Sequence, residues 1–448
     1  IEPVVAPRSE ISACLNRAYR HKADGVDEAL DDLRDVDMAG LTAQIQETED
    51  VLDVANKAPI IKLVNTLIFQ AVKLRASDIH MQPRADELVV RMRIDGVLYD
   101  MERIPKKAQD ALISRVKIMG KMDIAERRLP QDGRATIRVG DGEVDIRISS
   151  IPTADGERVV MRLLDKTARV YTLKEIGLGG EQLETVNSFF HYSHGIILVT
   201  GPTGSGKTTT LYAGLQAMDT KKLNILTIED PVEYNLAGIS QVQVNNKKGL
   251  TFSAGLRSFL RQDPDVMMVG EIRDLETAEI AIRAALTGHL VFSTVHTNDA
   301  PSTVTRLVDI GVDPYLVCSS LLLIVAQRLV RTVCPDCVDR VRLSPEDRDR
   351  YARAGFEPDR LEDGRVSVGR GCESCFDSGY AGRTALYEIL PVDDALRNQV
   401  MEGVGATHMK RGAVERGMST LRSDGMTKMA AGKTTLEEVL RVTQLDVL

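Results

Sequence analysis

The most restrictive feature of this sequence is residues 201–208, Gly-Pro-Thr-Gly-Ser-Gly-Lys-Thr, which match the phosphate-loop pattern G-x-x-x-x-G-K-[ST] at every fixed position. The motif directly follows an apolar run, residues 195–200, and precedes a segment with helical character. Its glycines let successive backbone N–H groups point at phosphate oxygens, while Lys207 adds a positive charge and Thr208 a hydroxyl for Mg²⁺. Strand, loop and helix in this order predict a binding site for a nucleoside triphosphate at the start of a helix. The predicted nucleotide-binding residues are Gly201, Pro202, Thr203, Gly204, Ser205, Gly206, Lys207, Thr208 and Thr209.

Length and composition favour a multidomain protein, because 448 residues with 43% hydrophobic residues can bury two or three cores. The formal net charge of -8 and the pI near 5.6 argue against a broad basic surface for nucleic acid, which disfavours a helicase or recombinase. No signal segment opens the sequence, and we expect a cytoplasmic protein. The longest apolar stretch, Tyr315–Ala326, is too short to span a bilayer, and we predict that it forms a buried helix.

The part of the sequence before the core is divided by pattern into three regions. Residues 1–42 show helical periodicity and residues 43–58 are polar, which predicts a linker. The third region, from residue 59 to about 164, begins with apolar residues at helical spacing and continues with strand patterns joined by Asp-Gly turns. We therefore predict a small α+β domain with a mostly antiparallel sheet. Its predicted strands include 88–94, 135–139 and 143–148, with a helical stretch at 106–124.

After a linker near residues 165–175, short and fully apolar strands alternate with helices. Such strands are typical of a parallel sheet that is buried on both faces, so we predict an α/β nucleotide-binding core. The predicted strands are 196–200, 224–228, 266–269 and 290–294, and the predicted helices are 207–218, 275–286 and 301–311.

Two glutamates at the ends of predicted core strands are candidates for catalysis. Gly270 stands where phosphate-loop enzymes usually place an aspartate that holds Mg²⁺ or polarises water, and the next residue, Glu271, is the candidate for orienting the attacking water, directly or through the metal. Glu229 ends another strand and is a candidate base or water-positioning group, with Asp230 and Glu233 in support. The simpler alternatives are a solvated strand-end acid for Glu271 and an Asp-Pro turn around Glu229.

Two histidines flank the last predicted core strand. His296 lies just past its carboxyl end, where a neutral imidazole could sense the terminal phosphate or signal to a neighbouring subunit. His289 follows Gly288, a residue that favours a helix C-cap, so local hydrogen bonds could satisfy its ring. A purely structural role is the alternative for both histidines.

The cysteines include two C-x-x-C pairs on either side of residues 338–371. Four thiolates in this pattern are typical of a tetrahedral Zn²⁺ site, and four filled positions make the ion structural rather than catalytic. A disulfide framework is disfavoured in a cytoplasmic chain of this size, and redox C-x-x-C chemistry is the alternative. The predicted zinc ligands are Cys334, Cys337, Cys372 and Cys375.

Several arginines could stabilise charge on a transferred phosphoryl group from another domain or subunit. A solvated surface charge is the alternative for each of them. The candidates are Arg147, Arg158 and Arg162 in the strand-rich region, and Arg257, Arg261 and Arg273 in the core.

The segments around these residues resemble the type II/type IV secretion ATPase superfamily. The resemblance covers the chain from about residue 45 to the end, includes the four cysteines, and is strongest to the type II secretion branch. Its Walker A, Asp box, Walker B and His box are matched by residues 201–212, 227–234, 260–265, 269–274 and 287–298. Its second N-terminal domain is matched by residues 76–80, 93–97, 130–134 and 156–162.

The resemblance implies an α/β fold in which a RecA-like P-loop nucleotide-binding domain follows a PAS-like α+β domain. A C-terminal tetracysteine zinc module and a helical tail complete the implied fold. The implied regions are a tail of an N-terminal partner-docking domain (1–42), a linker (43–58), the PAS-like domain (59–165), the RecA-like ATPase core (176–330), the zinc module (331–385) and the helical region (386–448).

The resemblance also implies that a homo-hexamer hydrolyses ATP to drive pseudopilus assembly, at the cytoplasmic face of the inner membrane. The implied partners are a membrane-anchored subunit with a cytoplasmic domain and a polytopic platform subunit, with no specific nucleic acid. The implied ligands are ATP, Mg²⁺ and Zn²⁺. Catalytic roles are expected for Glu271, Glu229, Lys207, Arg147, Arg162 and His296.

Other functions are open to test. A type IV pilus extension ATPase shares every box of the resemblance and is the principal alternative. A DNA translocase would show strand-stimulated turnover with a steep salt dependence. A protein kinase would leave phosphate on a partner protein.

Overall fold

A computed structural model describes residues 59–139, 142–165 and 171–443 of the chain. The fold consists of two compact units that divide between residues 168 and 169. The N-terminal region with helical periodicity (residues 1–42) and the predicted linker (residues 43–58) lie outside the described residues.

The first unit combines two α-helices with an antiparallel sheet. Its elements are α1 (Pro59–Lys73), β1 (Asp78–Pro83), β2 (Glu87–Ile94), β3 (Val97–Pro105), α2 (Gln109–Met119), β4 (Gln131–Val139), β5 (Gly142–Thr153) and β6 (Gly156–Asp165). The strand order is β3-β2-β1-β6-β5-β4, and every neighbouring pair is antiparallel. The α+β organisation with an antiparallel sheet agrees with the prediction.

Local sequence explains both the helix and the turns of this unit. Helix α1 forms an amphipathic stripe whose residues join one hydrophobic core with α2 and the sheet. The turn from β2 to β3 consists of Asp95 and Gly96, with φ +48° and +85°. An Asp-Gly pair suits this tight hairpin because both central residues need positive φ. The buried residues of α1 are Ile60, Leu63, Val64, Leu67, Ile68 and Ala71.

The second unit contains a mixed sheet and a separate two-stranded antiparallel sheet. Its strands are β7 (Gly195–Thr200), β8 (Ile225–Glu229), β9 (Ser240–Gln243), β10 (Val266–Val269), β11 (Leu290–Val295), β12 (Leu321–Val333), β13 (Val338–Arg342), β14 (Arg365–Gly369) and β15 (Tyr380–Pro391). The large sheet has the order β15-β12-β7-β11-β10-β8-β9, while β13 pairs with β14. Its strands are parallel except for β15, which runs antiparallel to β12.

Helices lie on both faces of the large sheet, and one further helix, Pro345–Arg353, packs in a separate cluster with the two-stranded sheet. The helices of this unit are α3 (Gly180–Phe190), α4 (Lys207–Gln216), α5 (Phe252–Phe259), α6 (Leu275–Leu286), α7 (Pro301–Asp309), α8 (Pro314–Ser320), α9 (Pro345–Arg353), α10 (Asp394–Met401), α11 (Ala406–Glu415), α12 (Leu421–Ala430) and α13 (Leu436–Val442). Alternate residues of β7 enter different cores, Ile196 and Leu198 on one face and Ile197 and Val199 on the other. Burial on both faces accounts for the continuous apolar runs of the parallel strands.

The prediction of one buried helix over Tyr315–Ala326 is wrong in its second half. Helix α8 ends at Ser320, and Leu321 takes extended dihedral angles where β12 begins. A short apolar run suits a buried helix and a buried strand equally well, so periodicity alone does not separate them. Pairing with β7 decides the outcome here, since Leu321 to Ala326 lie beside β7 in the sheet.

Across residues 59–139, 142–165 and 171–443, no helix combines the length and apolar character needed to cross a bilayer.

Candidate active site

The phosphate-loop motif connects β7 to α4 at the carboxyl edge of the parallel strands. Its three glycines, Gly201, Gly204 and Gly206, have φ values of +151°, +78° and +86°. These values lie in the region that L side chains rarely adopt, which explains glycine at each position. Lys207 is the first residue of α4, so the loop ends at a helix N-terminus. The local geometry therefore matches an anion-binding loop.

The loop packs closely against β12 at two of these glycines, and at Gly201 the backbone of β12 leaves no room for a side chain. A Cβ atom on Gly201 would lie 2.5 Å from the Gln327 carbonyl oxygen, and one on Gly206 would lie 2.8 Å from Gln327 Nε2. Gln327 Oε1 also accepts a hydrogen bond from Thr210 Oγ1 of α4 at 2.7 Å. Gln327, which the sequence pattern did not single out, therefore contacts both the phosphate loop and the helix that follows it.

Two polar side chains of the loop are suited to an anionic ligand. Ser205 Oγ is buried and has no hydrogen-bond partner within the described part of the chain. Lys207 Nζ donates to the carbonyl oxygens of Gly201 and Pro202 at 2.8 and 3.1 Å. Burial lowers the pKa of Lys207 to about 8, although the charge of Glu271 opposes this effect. A phosphate near Nζ would offset the cost of burying that charge, so these residues fit a nucleotide.

Glu271 and His296 lie near Lys207. His296 Nε2 is 3.5 Å from Glu271 Oε2, and Arg273 Nε is 2.6 Å from the same oxygen. The Glu271 side chain is 13% exposed, which leaves it within reach of water. Burial and the charge of Lys207 lower the pKa of His296, so its imidazole is neutral at physiological pH.

Glu229 occupies a more enclosed position at the end of β8, the strand next to β10. One carboxylate oxygen accepts from Tyr212 of α4, and the other accepts from Thr227 at 2.5 Å and Gln241 at 3.2 Å. Burial raises the pKa of Glu229, and these hydrogen bonds oppose the rise. The structure thus connects Glu229 to the helix that follows the phosphate loop, while its catalytic role stays a prediction.

Arg147 and Arg162 belong to the first unit and lie directly opposite each other on β5 and β6. Arg134 pairs with Arg147 on the other side, so three arginines are adjacent across neighbouring strands. Arg162 Nε donates to Asp78 Oδ1 at 2.8 Å, and its side chain is 57% exposed. Directly paired residues share a sheet face, so the row forms one basic strip. The approach of Arg147 and Arg162 to a phosphate stays a prediction.

Two further candidates have local partners. His289 Nδ1 lies 2.9 Å from the Ala284 carbonyl oxygen at the end of α6. This is the local hydrogen bond to the imidazole ring that its position after Gly288 predicts. Arg257 forms an exposed pair with Glu276 at 2.8 Å.

The four predicted zinc ligands form one cluster. All their Sγ atoms lie within 4.8 Å of one another. Individual Sγ separations are 3.9 Å for Cys334 and Cys372, 3.8 Å for Cys337 and Cys375, and 3.6 Å for Cys372 and Cys375. Backbone N–H groups of Cys372 and Gly379 also point at Cys375 Sγ, at 3.2 and 3.3 Å. The cluster has the ligand number and closeness to hold a metal ion.

Arg328 is a second residue near the site that the sequence pattern did not single out. It follows Gln327 on β12, and its NH2 group donates to the Asn298 carbonyl oxygen at 2.7 Å, just beyond His296. A Cβ atom on Gly201 would lie 3.2 Å from Arg328 NH1. The available signal was a Gln-Arg pair inside an otherwise apolar run.

Comparison with known proteins places this geometry in a family. The family model described as Type II/IV secretion system protein matches residues 53–441. Type II secretion system protein E of Pseudomonas aeruginosa is 48% identical over 96% of this chain and 85% of its own length. The type IV pilus assembly ATPase PilB of Myxococcus xanthus is 47% identical over 100% of this chain and 78% of its own length.

A solved structure supports the same relationship. The pilus retraction motor PilT, determined with bound ADP, is 28% identical and superposes with a TM-score of 0.56, covering 85% of this chain and 97% of PilT. The α/β mixed-sheet fold is therefore shared with known ATPases. With the family match extending over most of its length, this chain belongs to the Type II/IV secretion system protein family.

Proposed function

We propose that this chain is the motor of a type II secretion system and that its ATP hydrolysis drives pseudopilus assembly. The chain is an ATPase of its family, with relatives that include PilB and protein E of type II secretion. The observation that carries the proposal is the meeting of Lys207, Glu271 and His296 at a glycine loop that opens a helix.

In the proposed reaction, water attacks the terminal phosphorus of ATP and ADP leaves. The N–H groups of the loop and Lys207 bind the phosphates, because both present positive charge at one helix N-terminus. Thr208 and Glu271 would hold Mg²⁺, which neutralises phosphate charge when it is bound. ATP and Mg²⁺ are thus the ligands that this donor set favours.

We assign the orientation of the attacking water to Glu271. Its carboxylate retains some exposure and lies 3.5 Å from a neutral His296, which can accept or donate a hydrogen bond. Glu229 is the second catalytic carboxylate of the proposal. Burial raises its pKa, which makes its carboxylate a better proton acceptor than a solvated glutamate.

Two arginines of the first unit are also proposed to act in the reaction. Arg147 and Arg162 would stabilise charge on the phosphoryl group, as arginines do in many phosphate-transfer enzymes. Their adjacency on β5 and β6 supports the proposal, since two guanidinium groups then act together.

The proposed domain boundaries are those that the sequence resemblance implies. We propose a PAS-like domain at 59–165, a RecA-like core at 176–330, a tetracysteine module at 331–385 and a helical region at 386–448, preceded by a docking-domain tail at 1–42 and a linker at 43–58. Strands β12 and β15 continue across the two boundaries between the core, the module and the helical region.

Zinc is the proposed ion of the tetracysteine cluster. Zn–S bonds of about 2.3 Å in a tetrahedron place sulfur atoms about 3.8 Å apart. Three of the Sγ–Sγ separations in the cluster, 3.6 to 3.9 Å, agree with this spacing. Four thiolates leave no open position, so a zinc ion here would stabilise the fold rather than take part in hydrolysis.

The proposed working form is a homo-hexamer at the cytoplasmic face of the inner membrane. Its partners would be a membrane-anchored subunit with a cytoplasmic domain and a polytopic platform subunit, with no specific nucleic acid. The relationship to type II secretion protein E supports this assignment. The net charge of -8 also fits a motor that does not grip nucleic acid.

A second candidate function is assembly of a type IV pilus. The match to PilB extends over 100% of this chain, which favours it specifically. Complementation distinguishes the two functions: restored export in a secretion-defective strain supports our proposal, and restored piliation in a pilus-defective strain supports the alternative.

Hydrolysis is tested directly with Lys207→Ala. We expect turnover to be abolished while circular dichroism stays unchanged, because Lys207 binds phosphate rather than supporting the core. Lys222→Ala is a matched control, since Lys222 is 83% exposed beyond the end of α4. An unchanged rate in Lys207→Ala would refute the site. The specific rate of the wild type should rise with protein concentration if subunits complete each other's sites.

A further inference from the structure

Glu388 of β15 is a buried carboxylate outside the proposed reaction. Its side chain is 0% exposed, and its two oxygens accept different backbone hydrogen bonds. Oε1 accepts from Ala300 N at 2.8 Å, and Oε2 accepts from Leu421 N at 3.4 Å. Lys410 Nζ lies 3.7 Å from Oε2 and contributes opposite charge. A carboxylate buried this deeply is costly unless it is paired, so these contacts fix its position.

Both amide donors stand at helix N-termini. Ala300 immediately precedes α7, and Leu421 is the first residue of α12. The N-terminal end of a helix carries partial positive charge and favours an anion. Glu388 therefore joins the starts of two helices that are distant in the sequence.

The bond from Ala300 to Glu388 connects Glu388 to the nucleotide site, because Ala300 is the last of residues 296–300, here called the His296 segment. Thr297 N donates to Thr200 Oγ1 at 2.9 Å, and Thr200 is the last residue before the phosphate loop. Arg328, which lies against that loop, donates to Asn298. The His296 segment is thus bonded at its start by Thr200 and Arg328, beside the phosphate loop, and at its end by Glu388.

The bond from Leu421 to Glu388 connects Glu388 to the C-terminal helices. Asp424 of α12 accepts from Tyr387 N of β15 at 2.8 Å, and Lys428 Nζ donates to the Ala385 carbonyl oxygen at 2.7 Å. These contacts fasten α12 along β15. Glu388 is the residue of β15 whose carboxylate bonds both α12 and the His296 segment.

We infer that Glu388 is a positioning residue for ATP hydrolysis. It holds the His296 segment in place beside Glu271 through the Ala300 amide, and its second oxygen accepts from the first residue of α12. Glu388 acts through backbone amides and does not contact the reacting groups. This inference rests on the ATPase function proposed above.

The first test is Glu388→Gln in the full, assembled enzyme. Glutamine keeps the shape but turns an NH₂ group toward a backbone N–H, so one of the two links is lost. We expect kcat to fall about tenfold or more, with KM for ATP changed less than about twofold, because a charged hydrogen bond is removed from a group that positions the site. Asp424→Asn is the matched control, since Asp424 is also buried between β15 and α12 but does not contact the His296 segment. Its kcat should stay within about twofold of wild type at a comparable loss of thermal stability.

A second variant removes the same bond from the donor side. Ala300→Pro deletes the N–H, and the φ of -70° at Ala300 already suits proline. Amide hydrogen exchange at Thr297 should become faster in Ala300→Pro and Glu388→Gln but not in Asp424→Asn, a change that general destabilisation would not confine to this amide.

An unchanged kcat in both Glu388→Gln and Ala300→Pro would overturn the inference, as would equal losses of kcat in Glu388→Gln and Asp424→Asn. A rise in KM with constant kcat would also overturn it. Failure of the proposed function looks different: the wild type itself would then show no more hydrolysis than Lys207→Ala.

Discussion

Replacing Glu438 by glutamine tests how the C-terminal helix α13 is fastened to the sheet. The Glu438 carboxylate accepts from Arg331 N and NH2 at 2.9 and 2.7 Å, and from Arg441 Nε and NH2 at 2.9 and 2.7 Å. Its side chain is 2% exposed. Burial alone would raise the pKa of Glu438, but hydrogen bonds from Arg441 and Arg331 outweigh burial and lower the pKa to about 2.

This pKa sets the size of the expected effect. Against an unfolded-state pKa of about 4.3, a difference of about two units corresponds to about 3 kcal/mol of stability at neutral pH. Because the folded-state pKa is the lower one, the stabilisation is complete above about pH 5 and decreases as the pH falls toward the folded pKa. The linkage relation gives a loss of less than about 1 kcal/mol at pH 4 and of about 2 kcal/mol at pH 3.

Calorimetric melting of the wild type and Glu438→Gln at pH 7, 5 and 4 measures this contribution. We expect the variant to melt about 6 °C lower than the wild type at pH 7, and we expect this difference in melting temperature to become smaller at pH 4. Glu437→Gln is the control on the same helix, because its pair with Arg350 is exposed and should contribute less than about 1 kcal/mol. The reasoning would be refuted if both variants lost the same melting temperature relative to the wild type at pH 7, or if the loss in Glu438→Gln became larger as the pH falls.

Three further predictions concern the metal cluster and the active site. Cys334→Ser should lower the melting temperature and remove bound zinc, whereas Cys318→Ser, outside the cluster, should retain about one ion per chain by elemental analysis; a zinc-free wild type would contradict the proposed ion. Arg147→Ala should reduce kcat more than the measured affinity for an ATP analogue, since its charge acts on the transition state; equal losses would mean that Arg147 only helps to bind ATP. Tyr212→Phe removes a hydroxyl that donates to Glu229 and should lower kcat several-fold at constant KM, because an unpaired buried acceptor costs roughly 1–3 kcal/mol; steady-state kinetics with full activity would exclude a role for that hydrogen bond.

Much of the nucleotide core could be predicted from local sequence. The predicted strand 266–269 and helix 275–286 occur at those residues, since an apolar run and an amphipathic period each carry a distinct signal. Helix ends were less accurate: the predicted helix 207–218 ends at Gln216. Such ends depend on the last few backbone hydrogen bonds more than on periodicity. The phosphate loop itself was predictable because its glycines and Lys207 are adjacent in the chain.

Residues brought together by distant strand pairing could not be predicted in this way. Gln327 and Arg328 reach the phosphate loop because β12 lies beside β7, and Glu388 reaches the His296 segment because β15 lies beside β12. A single sequence does not show which distant strands become neighbours, so the Gln-Arg pair in the apolar run gave no indication of what it contacts. The same limit explains Leu321–Ala326, whose strand conformation is decided by its partner in the sheet.

The antiparallel pairing of β15 with β12 also bears on how the protein can be shortened. Strand β12 runs for 13 residues, and β15 covers its outer backbone edge from Leu323 to Val333. A chain cut before Tyr380 would leave this apolar edge with unsatisfied N–H and C=O groups, a template for pairing with other molecules. The C-terminal segment therefore protects the nucleotide core from aggregation, and a fragment meant to isolate that core should keep β15.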